Sequence, residues 1–82
     1  MRVVLDPHAV GRAADRGCTV EEIEATVSGG ERVAAGFRRQ FRGFFTWRGR
    51  QFDTKEIEAY AVEQPDGWLV ITVISRFSRG AP

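Results

Sequence analysis

Apolar and polar residues recur along the chain with two different periods, and the change from one to the other falls near Gly30. Before it the spacing is helical. "MRVVL" is a short run of strand composition. Asp6-Pro7 then predicts a helix start, because aspartate accepts from free first-turn amides and proline lacks only an N–H that would be unpaired there anyway. At about 100° per residue, Val10, Ala13, Ala14 and Gly17 share a side expected to pack inward, while His8, Arg12 and Arg16 spread over about 80° of the other. Gly17 is a natural left-handed C-cap. In "CTVEEIEATVSGG", Thr19 and Glu22 stand at capping-box spacing, and Cys18 is placed to staple onto Ile23. Val20, Ile23 and Val27 form the expected buried stripe, and Ser28-Gly29-Gly30 stops the helix. The pattern is a helical hairpin.

After Gly30 the period is two. Phe37, Phe41, Phe45 and Trp47 lie on one parity, and Arg38, Gln40, Arg42 and Arg48 on the other. Gly36 and Gly43 each mark a bend or a bulge, so this stretch reads as either one strand or two. "KEIEAYAVE" and "WLVITVISRF" are strands joined by "QPDG", where proline presets the turn and glycine is expected to take a positive φ. The last strand is apolar on both parities, which predicts a place inside the sheet. Its Leu69, Ile71 and Val73 are expected to face the helices, and Trp68, Thr72 and Arg76 the other side, alongside Tyr60 and Arg42. The predicted fold is α+β, in the order β-α-α-β-β-β, with a two-helix hairpin packed on a mostly antiparallel sheet.

Length and composition place this pattern in one domain over residues 1–82, with 79–82 as a frayed tail. A chain of 82 residues, 43% hydrophobic and 28% charged, has the makeup of an ordinary globular domain with a thin core. The longest apolar run, "WLVITVI", is far short of the roughly 20 residues of a membrane helix, and "MRVVLDP" lacks a signal-peptide core; a cytoplasmic protein without membrane contact is expected. One cysteine and one histidine are too few for the usual structural metal set, so neither metal nor other cofactor is expected. The formal charge is only +1, but it is unevenly spread. Residues 32–50 hold Arg32, Arg38, Arg39, Arg42, Arg48 and Arg50 and no acid, whereas 53–66 hold Asp53, Glu56, Glu58, Glu63 and Asp66 against Lys55 alone. The basic segment either binds an anion such as RNA or pairs with the acidic one.

Two sets of residues carry candidate chemistry. On the first helix, His8 and Arg12 are four apart, with Cβ atoms roughly 5–6 Å apart, so both can reach one phosphate while Arg16 reaches the next. The bland reading is a solvated face whose ion pairs contribute ~0–1 kcal/mol each. On the open sheet face, Trp68, Thr72, Arg76, Tyr60 and Arg42 interleave rings with guanidinium groups, which suits unpaired RNA bases and phosphates. The alternative there is a face covered by a loop or by a second copy in a homodimer, with Trp68 and Ile74 at the contact. Lys55 shares parity with Ile57, Ala59 and Ala61, placing it at a strand end where it either joins His8 or snorkels to solvent. Cys18 as a nucleophile for His8 is excluded by the ~15 Å that ten helical residues span. The acids Glu21, Glu22 and Glu24 read as first-turn helix charges, and "GGERVAAG" lacks phosphate-loop spacing.

"HAVGRAADRGCTVEEIEATV", "WRGRQFDTKEIEAYAVE" and "WLVITVISRF", in this order, resemble the bacterial family termed domain of unknown function 4258. Its pattern is His-Ala, two arginines at helical spacing, Arg-Gly, a Thr/Ser-Glu-Glu helix start, a sheet lysine and a terminal Thr-Val strand. The resemblance covers roughly residues 5–78. That family is commonly grouped with toxin-like RNases of RelE, ParE and BrnT type, so the resemblance implies a RelE-like fold, metal-independent endoribonuclease activity and an antitoxin-like protein partner. Carried over, His8 would be the base that deprotonates a ribose 2′-OH, and Arg12 and Lys55 would hold the phosphate. Arg16, Thr72, Arg76 and Arg42 would contact RNA, and Phe77 stands where such sequences often carry tyrosine. The alternative function is a non-catalytic RNA- or protein-binding module.

Overall fold

The computed structural model describes residues 2–80. Its elements run β1 (Arg2–Leu5), α1 (Pro7–Asp15), α2 (Val20–Gly29), β2 (Glu31–Val33), β3 (Gly36–Trp47), β4 (Arg50–Gln64) and β5 (Gly67–Ser78). The fold is α+β. The five strands form one sheet in the order β1-β5-β4-β3-β2, antiparallel except where β1 lies parallel to β5, and both helices pack on one face. Four strands follow the helices where three were expected. The extra one is β2, a three-residue strand on the edge of β3. Met1, where the first predicted strand began, and positions 81 and 82 of the expected tail lie outside the described residues. Arg79 and Gly80 are tied back: Arg79 Nε donates to the Gln51 carbonyl at 3.3 Å, and the Gly80 N–H donates to the Asp53 carboxylate.

Local signals set the helix ends as expected. The Asp6 carboxylate accepts the His8 N–H at 2.9 Å, with Pro7 opening the helix. Gly17 follows α1 at φ 68°, and Thr19 and Glu22 close a reciprocal capping box at 2.9 and 3.1 Å. Which face turns inward differs. Ala9 and Ala13 are buried, whereas Val10 is 51% exposed, because two small side chains let the helix approach β5 most closely along the line that includes Arg16. Arg16 is therefore not on the solvent side with His8; its Nη1 donates to the Val73 carbonyl at 2.6 Å. On α2 the buried residues are Ile23, Thr26 and Val27, with Val20 half exposed at the first turn. Thr26 can take an inward place because its hydroxyl donates to the Glu22 carbonyl at 2.7 Å.

Two irregularities decide which strand residues face the helices. In β5, Thr72 pairs with Tyr60 but Val70 pairs with Ala61, so Ile71 is an extra residue and the parity switches there. Val70 and Val73 are both fully buried, Ile71 is 41% exposed, and the expected inward set of Leu69, Ile71 and Val73 is corrected to Trp68, Val70 and Val73. Trp68 accordingly lies on the helix side, edge-on to Phe37 at 4.9 Å with the Arg32 guanidinium 4.7 Å from its ring. It is not on the open face with Thr72 and Arg76, nor exposed with Ile74 as a dimer contact. In β3 the register shifts between Arg42 and Phe45, so β3 is one strand with a bulge at Gly43 and Phe44.

The turns also differ from expectation in one respect. Gly67 does not take a positive φ; a Cβ there would collide with the Arg2 backbone, so its glycine permits the parallel approach of β1. Positive φ occurs instead at Arg48 (52°) and Gly49 (76°), the two-residue turn between β3 and β4.

Candidate functional site

His8 and Arg12 meet as their spacing predicted. Both are exposed on α1, and Arg12 Nε stands 3.5 Å from His8 Nε2, a long contact in which the ring nitrogen is the acceptor. That geometry sets the ring and the guanidinium side by side, with Nε2 turned toward Arg12, at the solvent-facing start of a helix. Arg12 has no carboxylate within 4 Å among the described residues, so its charge is available to an anion.

Lys55 is elsewhere. It pairs across the sheet with Phe77, seven positions beyond Val70 on β5, and the Val70 carbonyl accepts the Asp6 N–H just before α1. At ~3.3 Å per residue the two ends are separated by about 20 Å along the strand. Lys55 is also closed off, being 4% exposed, with Nζ 2.6 Å from Glu22 Oε1 and 5.3–5.4 Å from the Phe77 and Phe45 ring centres. It therefore neither joins His8 nor snorkels. An inward charge needs a partner, and its parity with Ile57 and Ala59 signalled that need. The partner itself was hidden because Glu22 was already accounted for as a helix cap.

Around this pair the α1–α2 corner is stitched to the sheet. Arg16 donates to Val73, Ser75 Oγ donates to the Arg16 carbonyl at 2.7 Å, and Cys18 is buried beside them. Burial pushes the Cys18 thiol above its ordinary pKa, an effect that the Lys55 charge partly opposes. Arg16 and Cys18 here hold the corner, and every buried side-chain polar atom among the described residues has a partner.

The open face carries alternating charge. Thr72 and Arg76 are there as expected, with Tyr60 and Ile74 as neighbours. Arg76 Nη1 lies 3.1 Å from Glu56 and 3.3 Å from Glu58, while Arg38 reaches Glu31 at 2.6 Å and Glu58 at 3.9 Å. Tyr60 donates to Glu58 at 3.2 Å. The basic and acidic segments thus neutralise one another across this face. Arg42 is exposed at its end, near Asp53, whose carboxyl is held below the usual range first by the Gly80 N–H and then by the Thr54 hydroxyl.

One surface went unread in the sequence. Phe44 sits in the β3 bulge fully exposed, and beside it is a cleft of about 370 Å³ lined by Phe44, Gln51, Phe52, Asp53, Arg79 and Gly80. A phenylalanine adjoining glycine inside an alternating strand was the only available sign. Among the described residues, no three His, Cys, Asp or Glu side chains cluster as metal ligands, and no helix is long and apolar enough to cross a membrane.

A family model described as "Domain of unknown function (DUF4258)" matches residues 5–75. No curated protein and no solved structure matches the chain.

Proposed function

Because the chain belongs to the DUF4258 family, we propose that it acts on RNA as a toxin-like, metal-independent endoribonuclease centred on His8 and Arg12. The observation that supports this reading is the contact of His8 Nε2 with Arg12 Nε on the exposed first turns of α1. A base and a phosphate-holding cation are the two groups that ribose-assisted cleavage needs first. In the step, Arg12 turns from Nε2 to the phosphate, the freed Nε2 of His8 takes the proton of a 2′-hydroxyl, and the 2′-oxygen displaces the 5′-oxygen at phosphorus. The products are a 2′,3′-cyclic phosphate and a 5′-hydroxyl, with the leaving oxygen protonated by water. Arg12 balances the charge that builds on the phosphate. Lys55, which the resemblance also assigns to the phosphate, supports the site at a distance in this reading by holding α2 to the sheet through Glu22.

The test is end-labelled RNA incubated in EDTA with folded wild-type and His8→Ala protein. Cleavage by wild type alone supports the proposal; intact RNA, or equal cleavage by both, overturns it. A second reading, a non-catalytic RNA- or protein-binding module, is favoured by the closure of Lys55 onto Glu22, which leaves two groups rather than three at the start of α1. For the RNA form of that reading, Arg12→Ala lowers affinity and reduces the salt slope by about 0.7 per phosphate contact on a single strand, with no product formed.

A further inference from the structure

We propose that the outer edge of β3, beyond the end of β2, receives an extended acidic segment of a partner protein as an added strand. β2 pairs only with residues 36–38 of β3, whereas β4 accompanies β3 on its other side as far as Trp47. Residues 39–47 therefore have a hydrogen-bonded neighbour on one side only among the described residues. Alternate N–H and C=O groups along such an edge form a template for a further strand.

The charges say what kind of strand fits. Across the open face the sign alternates from strand to strand: Arg76 on β5, Glu56 and Glu58 on β4, Arg38 on β3. β2 continues the alternation in miniature, placing Glu31 in register with Arg38 at 2.6 Å. Past the end of β2, Arg42 and Arg39 follow without a carboxylate within 4 Å among the described residues, Asp53 acting on Arg42 only from farther off. Arg42 is on the open face with Arg38, and Arg39 is on the helix side, lying over the Phe41 ring and donating to the Ala25 carbonyl at 3.1 Å.

A second copy of this chain is the wrong occupant. Pairing β3 with β3 sets arginines against arginines, which destabilises a sheet contact. The bulge at Gly43 and Phe44 also breaks the flat edge after about four residues, a device that blunts self-association. The same bulge presents Phe44 and its cleft to an apolar side chain at the end of the added strand.

Antiparallel register fixes the sequence of such a segment. Reading against residues 44 down to 39, it calls for an apolar residue over Phe44, a small one at Gly43, an acid at Arg42, an apolar residue at Phe41, a polar one at Gln40 and an acid at Arg39. The probe is a labelled peptide Leu-Ser-Glu-Val-Thr-Glu, compared with its twin bearing lysine for both glutamates, by fluorescence anisotropy and by amide hydrogen exchange.

The acidic peptide should bind at least tenfold more tightly than the lysine twin and should slow exchange within residues 39–42. Arg39→Glu, checked for folding by circular dichroism, should narrow or reverse that preference. Equal binding of both peptides, binding without protection at 39–42, or no binding overturns the proposal. Protection there that appears without peptide, together with a concentration-dependent mass in sedimentation, overturns it in favour of a dimer. The peptide pair is tested on wild-type protein, so the outcome does not depend on whether the RNA reading holds.

Discussion

Glu22→Gln should cost far more stability than Lys55→Met, although both changes break the same 2.6 Å contact. The Lys55 side chain is 5% exposed and lies against Phe45 and Phe77, so the ammonium is almost closed off from water. Glu22 is 19% exposed at the helix start, and the same Oε1 that meets Lys55 also accepts the Thr19 N–H at 2.9 Å. Glutamine keeps that cap, because its carbonyl oxygen still accepts, but it leaves a buried charge without a counter-charge. Breaking a buried pair in this way costs about 3–5 kcal/mol, and the surviving carbonyl contact argues for the lower end, about 3 kcal/mol. Lys55→Met instead removes the charge, fills the aromatic slot with an apolar chain, and leaves a carboxylate that water can reach. Replacement of a buried ion by an apolar residue is often neutral or better, so the expected cost is less than about 1 kcal/mol.

For a domain of this size, 3 kcal/mol is about 12–24 °C in Tm, out of a total stability of about 4–12 kcal/mol. Urea unfolding followed by far-UV circular dichroism at pH 7 measures both variants, with the m-value checked for constancy. The double variant should recover most of what Glu22→Gln loses. Equal losses in the two single variants, or a Glu22→Gln loss below about 1 kcal/mol, would refute the reasoning that Lys55 is a closed, paired charge.

Three further outcomes are expected. Arg48→Asn should raise Tm by a few degrees in a thermal melt: Asn-Gly suits a turn with two positive φ values, and relief of about 1–2 kcal/mol of left-handed strain exceeds the ~0.5–1 kcal/mol of the exposed Arg48–Trp47 contact. Cys18 should be alkylated by iodoacetamide at least a hundredfold more slowly in native than in urea-unfolded protein. Its folded pKa is raised by burial, so stability from the neutral thiol is complete below the ordinary thiol range and falls as pH rises toward the raised value. Asp53 has the opposite sign. Its bond to the Gly80 N–H is fully present above the ordinary aspartate value of about 3.9 and is lost as pH falls through the lowered folded value. The protection of the Gly80 amide, relative to the intrinsic exchange rate at each pH, should follow that titration, and Asp53→Asn should remove the step.

What the sequence disclosed was the local part of the structure. Asp6-Pro7, Gly17 and the Thr19–Glu22 box act over three or four residues, and each stands where its chemistry predicted. The His8–Arg12 contact has the same local origin. Features set by distant contacts were not legible. β5 is apolar on both parities, so nothing in its composition marks Ile71 as the extra residue that turns Trp68 inward. Arg16 reads as polar and solvent-facing, yet the Val73 carbonyl, which is left without a strand neighbour where β1 ends, draws it onto the sheet. Lys55 shares the parity of inward residues, but the sequence offered it only His8 or solvent, because Glu22 lies 33 residues away in the chain. The exposed edge of β3 follows from the shortness of β2, and β2 itself could not be separated from the basic segment around it.

The parallel pairing of β1 with β5 also governs when the fold can form during synthesis. Among the described residues, 2–5 take their only strand neighbours from 67–70, and β5 stands between β1 and β4 in the sheet. At ~5–20 residues per second, β1 and α1 wait roughly 3–13 s on the ribosome for that strand to be made. The helices can form locally in that interval, but Ala9 and Ala13 have no surface to cover until Val70 and Val73 arrive. A stall anywhere before residue 67 leaves the first strand and helix without the layer they pack on, so completion of the core is a late event that depends on nearly the whole of the described chain.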